Sequence, residues 1–244
     1  MDNNIFDVSS KTILVTGASS GIGKAIAKKL VQCGANVILT GRNSEKLQSV
    51  VDEIGTNVSY YLAIDVNDDI QLESLVKGMP DVNGVVFCAG IAEYIPSRIL
   101  NKSKLQNTLD TNFISQTQLT RLLLKFKKLK SNSSLLYISS LAAKQGVIAT
   151  AAYSASKAAL SAYMRVIASE LAHNGIRSNA LCPGIISTDM GDSITNLNPD
   201  IASKYPLGLG TTDDVANTSI FFLSDASRWI TGAELIMDGG LTLN

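Results

Sequence analysis

The chain has 244 residues, 45% of them hydrophobic and 17% charged, a composition that fills a packed core and excludes a disordered chain. Its 21 basic residues balance its 21 acidic ones, so no net basic field draws nucleic acid. The polar, acidic start Met1-Asp2-Asn3-Asn4 lacks the basic region of a secretory leader. No apolar run approaches the ~18 residues of a membrane span, so the expectation is a cytoplasmic protein with no membrane partner.

Strand-like and helix-like stretches alternate along the chain. Lys11–Thr16 is a β-rich run, and Gly21–Gln32 follows with Ile22, Ile26 and Leu30 at helical spacing. Asn36–Thr40 reads as a strand, and Ser44–Ile54 as a helix with Ser44 as its N-cap. Ser59–Ile64, Gly84–Cys88, Leu135–Ser139, Arg177–Cys182 and Glu234–Met237 are further strands. Asp68–Lys77, one long Ser103–Lys130 segment, Thr150–His173 and Thr212–Leu223 are further helices. This alternation predicts an α/β fold: a single domain with a doubly wound parallel sheet of about seven strands. Gly191–Pro206, with Asn196, Asn198, Pro199 and Pro206, breaks the rhythm, leaves room for only a short helical stretch and is expected to be a loop over the substrate site, a lid.

Thr16-Gly17-Ala18-Ser19-Ser20-Gly21-Ile22-Gly23 joins the first strand to the first helix. Gly17 permits the tight turn, Gly21 lets backbone approach a pyrophosphate, and Gly23 lets the helix pack on the strand. The helix N-terminus then offers N–H groups to the phosphates. The second strand ends Leu39-Thr40-Gly41-Arg42 with no acid to hold a ribose 2′-hydroxyl. Arg42 is suited to a 2′-phosphate, so the expected cofactor is NADP(H). Asp65, at the end of the third strand, is open to two roles: accepting from the adenine amino group or capping the next helix.

Tyr153 and Lys157 lie four residues apart on a predicted helix and share a face. A free phenol, pKa ~10, is a poor acid–base at neutral pH. An ammonium ~5 Å away at effective dielectric ~20 is worth ~3 kcal/mol, so Lys157 is expected to lower the phenol by about two pKa units. Ser139-Ser140 closes a strand just before this helix. In a parallel sheet, ligands bind beyond the strand C-termini, the same rim as the glycine turn.

At these residues the chain resembles the short-chain dehydrogenase/reductases over essentially its whole length. The resemblance rests on the glycine turn, Thr111-Asn112, Ser140, Tyr153-Ser154-Ala155-Ser156-Lys157 and Pro183-Gly184-Ile185-Ile186-Ser187-Thr188. It implies that Tyr153 is the general acid of carbonyl reduction and that Ser140 hydrogen-bonds the substrate carbonyl. Lys157 would bind the nicotinamide ribose and tune Tyr153, and Asn112 would hold a water in a relay to Lys157. It also implies cofactor contacts from Gly17, Ser19, Ser20, Gly21, Ile22, Gly23 and Arg42, and from Asp65, Val66, Ala89 and Gly90. Pro183 and Gly184 join them, with Ile186 and Thr188 on the carboxamide.

The family's usual Asn-Ala-Gly after the fourth strand is here Cys88-Ala89-Gly90, which lacks the amide that ties neighbouring strands. Within the family the chain looks most like the β-ketoacyl-carrier-protein reductases, by Pro206-Leu207-Gly208, Ile230-Thr231-Gly232 and Asp238-Gly239-Gly240. Those reductases commonly carry an arginine where this chain has Asn174, with Lys127, Lys128 and Lys130 as candidate replacements for an acidic carrier. The implied partner is a small carbonyl substrate, free or carrier-bound, and the implied assembly a homotetramer or homodimer. Its faces would be the two long helices, with Leu119, Leu123, Leu160 and Tyr163 as apolar residues equally fit for the core. Expected pocket residues are Ile91, Tyr94, Leu141, Val147, Ile148, Ile185 and Met190.

Other classes fare worse. A single histidine, His173, at a predicted helix end, gives no Ser-His-Asp triad and, with three scattered cysteines, no metal site. Cys33, Cys88 and Cys182 are expected to be buried free thiols. A sugar-nucleotide epimerase would add a C-terminal substrate domain. A non-catalytic NADP(H)-sensing regulator would not need Ser140, Tyr153 and Lys157 together.

Overall fold

The computed structural model of the chain describes residues 4–197 and 199–243. Residues 1–3 of the acidic start and Asn198 of the expected lid lie outside the described residues. Among the described residues seven strands form one sheet: β1 (Thr12–Thr16), β2 (Asn36–Gly41), β3 (Val58–Ala63), β4 (Val82–Phe87), β5 (Leu129–Ile138), β6 (Arg177–Pro183) and β7 (Glu234–Met237). Their order is β3-β2-β1-β4-β5-β6-β7 and every pairing is parallel. The order reverses direction at β1/β4, the crevice where such sheets bind ligands.

The helices are α1 (Gly21–Gln32), α2 (Ser44–Ile54), α3 (Asp69–Gly78), α4 (Lys102–Leu109), α5 (Ser115–Lys125), α6 (Ala151–Leu171), α7 (Asp189–Leu197) and α8 (Thr212–Leu223). Strand residues alternate between two cores, as a sheet covered on both faces requires. Ile13 and Val15 pack with Ile26 and Leu30 of α1, Leu47 of α2 and Phe222 of α8. Leu14, between them, packs with Leu75 of α3, Leu123 of α5 and Leu160 of α6 on the other face. This is the expected doubly wound single domain. Leu119, Leu123 and Leu160 are wholly core, and Tyr163 packs partly buried against them.

Several local expectations are corrected. The cap of α2 is Asn43, whose side chain accepts from Lys46 N at 2.7 Å, and not Ser44. The expected Ser103–Lys130 helix is three pieces: α4, a π turn over Asp110–Ile114, and α5, which stops at Lys125. Lys127 then takes φ +53°, and Lys130 already belongs to β5. The strand therefore starts six residues before the expected Leu135, with an irregular register and Asn132 at φ +61°. The apolar Leu135–Ile138 is only its buried half. Residues 191–206 are more helical than a loop, because α7 and a 3₁₀ turn at Pro199–Lys204 occupy them.

Candidate active site

The glycine turn between β1 and α1 is shaped by close backbone approach. A Cβ at Gly17 would lie 2.9 Å from Ala89 Cα, and one at Gly23 would strike the Gly17 carbonyl. Gly17 and Gly21 both have positive φ, which glycine takes without penalty. The N-cap of α1, Ser20, makes no side-chain capping bond, whereas α2, α3, α4 and α8 are capped by Asn43, Asp68, Asn101 and Thr211. The first N–H groups of α1 are thus left for an anion, and the missing Cβ atoms leave room for it. A dinucleotide pyrophosphate fits these residues.

This turn opens into a cleft of about 1010 Å³ along the C-terminal rim of the sheet. Gly17, Ser19, Ser20, Gly21, Ile22 and Gly23 line it, with Arg42 following Gly41, where a Cβ would lie 2.9 Å from Ser19 Oγ. Val66, Ala89, Gly90, Ser140, Tyr153, Lys157, Pro183, Gly184, Ile186 and Thr188 also line it, and a Cβ at Gly21 would lie 3.6 Å from Thr188 Cγ2. Two expected site residues are not on the wall. Asp65 is exposed, its carboxylate turned to Asn67 N at 3.0 Å; the helix cap that it was free to supply comes from Asp68. Asn112 is buried behind the wall.

Asn112 has a definite task there. Its amide accepts from Ile91 N at 2.8 Å and donates to Ile91 O at 2.8 Å and Ser156 Oγ at 3.0 Å. The π turn sets this orientation by inserting an extra residue per turn where a regular helix was expected. Gln116, four residues on, donates to Ala89 O at 2.8 Å. From the other side, the Thr16 hydroxyl accepts from Cys88 N at 2.9 Å and Ala89 N at 3.0 Å. Three side chains therefore tie down the 88–91 turn without an amide at position 88. The Cys88 and Cys182 thiols are each pushed up to about 11, chiefly by burial, so neither is a thiolate at neutral pH. By exposure only Cys182 is fully buried; Cys33 and Cys88 are intermediate, and all three are free.

Lys157 is buried, and its Nζ donates to Ile138 O at 2.7 Å and lies 5.8 Å from the Tyr153 ring centroid. Burial pulls its ammonium down to about 8, partly offset by Cys88 and Cys182. Burial raises the Tyr153 phenol, and the neighbouring Ser140 hydroxyl opposes that rise. The expected lowering of Tyr153 is thus not produced by the protein's own groups: desolvation exceeds the help it receives. Ser140, two residues past β5, is in extended backbone and caps the 3₁₀ turn Leu141–Ala143 by accepting from Ala142 N at 3.1 Å, which leaves its hydroxyl proton for another acceptor.

Arg42 and Lys46 line the cleft and make no ion pair among the described residues, while Lys24 and Lys28 share Glu53 at 2.9 and 2.6 Å. Sequence reasoning found Arg42 and missed the lysines. Their convergence depends on how α1 and α2 lie against β2, which no local pattern encodes. Of the expected pocket residues, Tyr94, Leu141, Val147, Ile185 and Met190 line the cleft and Ile91 and Ile148 do not; Tyr205 and Gln145 were not foreseen. Lys128 donates to Met79 O at 2.7 Å and Lys130 to Asn83 Oδ1 at 3.5 Å. Both lie at the end of the sheet where β4 and β5 begin, opposite the cleft rim and about 17 Å from it along β4, and they do not line the cleft. Among the described residues no cluster could hold a metal ion, and no helix is long and apolar enough to cross a membrane.

A family model described as enoyl-(acyl carrier protein) reductase matches residues 17–242. The 3-oxoacyl-[acyl-carrier-protein] reductase of Rickettsia felis is 32% identical over 241 residues, covering 98% of this chain and all of that one. A short-chain type dehydrogenase/reductase from Mycobacterium marinum superposes with a TM-score of 0.91 at 27% identity, covering 99% of each chain. An actinorhodin polyketide ketoreductase variant solved with NADPH gives a TM-score of 0.89 at 27% identity, covering 95% of this chain and 97% of that one. Fold, cleft and whole-length similarity agree that the chain belongs to the short-chain dehydrogenase/reductase family of oxidoreductases.

Proposed function

We propose that this oxidoreductase is a cytoplasmic, NADPH-dependent reductase that turns a ketone into a secondary alcohol, with a 3-oxoacyl thioester as its substrate. The observation that carries the reading is the convergence of Ser140, Tyr153 and Lys157 on the cleft that begins at the uncapped end of α1. A bound nicotinamide would supply the hydride. The chain's own residues would do the rest. Ser140 donates its free hydroxyl proton to the substrate carbonyl and fixes its position. Tyr153 gives its phenolic proton to the same oxygen as negative charge builds there. The raised phenol keeps that proton at neutral pH, so the acid is loaded before reaction. Lys157 stays mostly charged at pH 7 with a value of about 8, and it holds positive charge beside the phenolate that remains. Ile138 O orients the ammonium. Asn112 acts as a positioning residue through the Ile91 turn and Ser156.

The choice of NADPH rests on Arg42 and Lys46, two cations free of ion pairs at the adenosine end, and on the lack of an acid at the end of β2. The thioester rests on the relatives' printed activity and on the apolar substrate wall of Leu141, Val147, Ile185 and Met190. Residues 191–206 are proposed as the lid. Exposed Val166, Leu235, Ile236 and Trp229, on or near β7 and α6, support a homotetramer or homodimer using this edge. Cofactor oxidation should be followed with acetoacetyl thioesters, steroids, sugars and simple diketones, each with NADPH and NADH. Faster turnover of the thioester with NADPH, with Arg42→Ala impairing NADPH alone, supports the reading. No reduction of any ketone, or equal use of both cofactors, contradicts it.

A further inference from the structure

We propose that Tyr94 is a second hydrogen-bond donor of the substrate cleft, which reads an acceptor oxygen beside the ketone, such as the ester or thioester carbonyl of a β-keto acid derivative. The inference rests on the ketone-reductase reading above and adds a substrate feature and the residue that selects it. Tyr94 lines the same cleft as Tyr153 and Ser140, within an otherwise apolar wall of Leu141, Val147 and Met190. Two neighbouring hydroxyls are anchored to the protein: Thr150 donates to Val147 O at 2.8 Å and pairs with Ser154 Oγ at 2.8 Å, and Tyr205 accepts from Ile185 N at 3.0 Å. The half-buried Tyr94 hydroxyl has no hydrogen-bond partner among the described residues.

Its backbone is held in place. The next residue, Ile95, is buried, and its N–H donates to Ala149 O at 2.7 Å. Ala149 adopts φ +64°, a conformation that a non-glycine residue takes only when its surroundings impose it. This clamp joins the Tyr94 turn to the segment between Ser140 and Tyr153. Burial, then the nearness of Tyr153, pushes the Tyr94 phenol up to about 12. The group is therefore a pure donor at neutral pH, and it faces the space that Tyr153 faces. A partly buried donor without a partner favours a ligand that brings an acceptor. With the ketone oxygen held by Ser140 and Tyr153, that acceptor belongs to the neighbouring carbonyl of the same substrate.

The test compares ethyl acetoacetate with 2-heptanone, which has the same chain length and no second carbonyl, for the wild type and Tyr94→Phe with NADPH. The difference in intrinsic reactivity cancels when each variant's kcat/KM is taken relative to wild type on the same substrate. Tyr94→Phe should lose about tenfold on the ester, equivalent to about 1.4 kcal/mol, and less than about twofold on the plain ketone, where no hydrogen bond is lost. Equilibrium binding of ethyl 3-hydroxybutyrate against 2-heptanol should show the same selective loss, with thermal stability and NADPH affinity unchanged. Equal losses on both ketones, or none on either, would overturn the assignment while leaving the reductase reading intact. If the wild type reduces neither ketone nor any thioester, the reductase reading fails and takes this inference with it.

Discussion

Lys157 should cost the fold stability, and the cost should depend on pH in a defined direction. Its ammonium is buried and drawn from an ordinary lysine value of 10.5 down to about 8. At about 1.36 kcal/mol per pKa unit, that gap is about 3 kcal/mol. Below pH 8 lysine is charged in both the folded and unfolded chain, so the whole penalty is present. Between about 8 and 10.5 the folded state gives up its proton first while the unfolded state keeps it. The unfolded state then binds more protons, and stability rises with pH until the penalty is gone.

Lys157→Met keeps the length of the side chain and removes its charge. It also removes the 2.7 Å bond to Ile138 O, a loss of about 1 kcal/mol. The variant should therefore be more stable than wild type by about 2 kcal/mol at pH 7. It should become less stable by about 1 kcal/mol near pH 10.5, where only the lost hydrogen bond remains. Urea unfolding of both proteins without cofactor, at one protein concentration and several pH values, measures this difference directly. A difference that does not change with pH, or a variant less stable at pH 7, would refute the claim that this ammonium is held against its desolvation.

Two further outcomes follow from the geometry. A Cβ at Gly90 would sit 3.2 Å from Asn112 Oδ1 and 3.5 Å from Lys157 Nζ. The Asn112 amide is held by three bonds and cannot easily give way, so Gly90→Ala should cost about 1–2 kcal/mol in urea unfolding and should lower turnover; wild-type values for both would show that the turn is slack. Thr188 donates to Ile186 O and accepts from Gly191 N, each at 3.1 Å, which ties the proposed lid helix to a residue of the cleft wall. Amide exchange over residues 189–206 should slow when NADPH and a ketone bind, and unchanged protection would remove the lid.

The alternation of elements was legible because each buried strand is a short apolar run and each helix carries apolar residues at its own period, as Ile22, Ile26 and Leu30 do in α1. The cleft was legible where its chemistry is local in sequence, as in the glycine turn and the Tyr153–Lys157 pair. Features set by tertiary fit were not. The π turn at Asn112 repays its irregularity through bonds to Ile91 and Ser156, residues 21 and 44 positions away in sequence. The polar first half of β5 is a strand because Leu129 pairs with Val82 and Ser133 donates to Val82 O at 3.0 Å, contacts that its residue types do not advertise. Asn43 and Ser44 are both good capping residues, and only the backbone path decides between them. The direction of the Tyr153 shift depended on desolvation, which a charge-pair estimate over one helix turn leaves out.

Tyr153 is the residue proposed to supply the proton that completes ketone reduction. The most direct test is turnover of an acetoacetyl thioester by Tyr153→Phe, measured beside NADPH affinity for the same protein. The change removes one hydroxyl and keeps the ring, so the rate should fall by ~10²–10⁴ with NADPH binding nearly unaltered. Retention of more than about a tenth of the wild-type rate, against that typical loss, would contradict it.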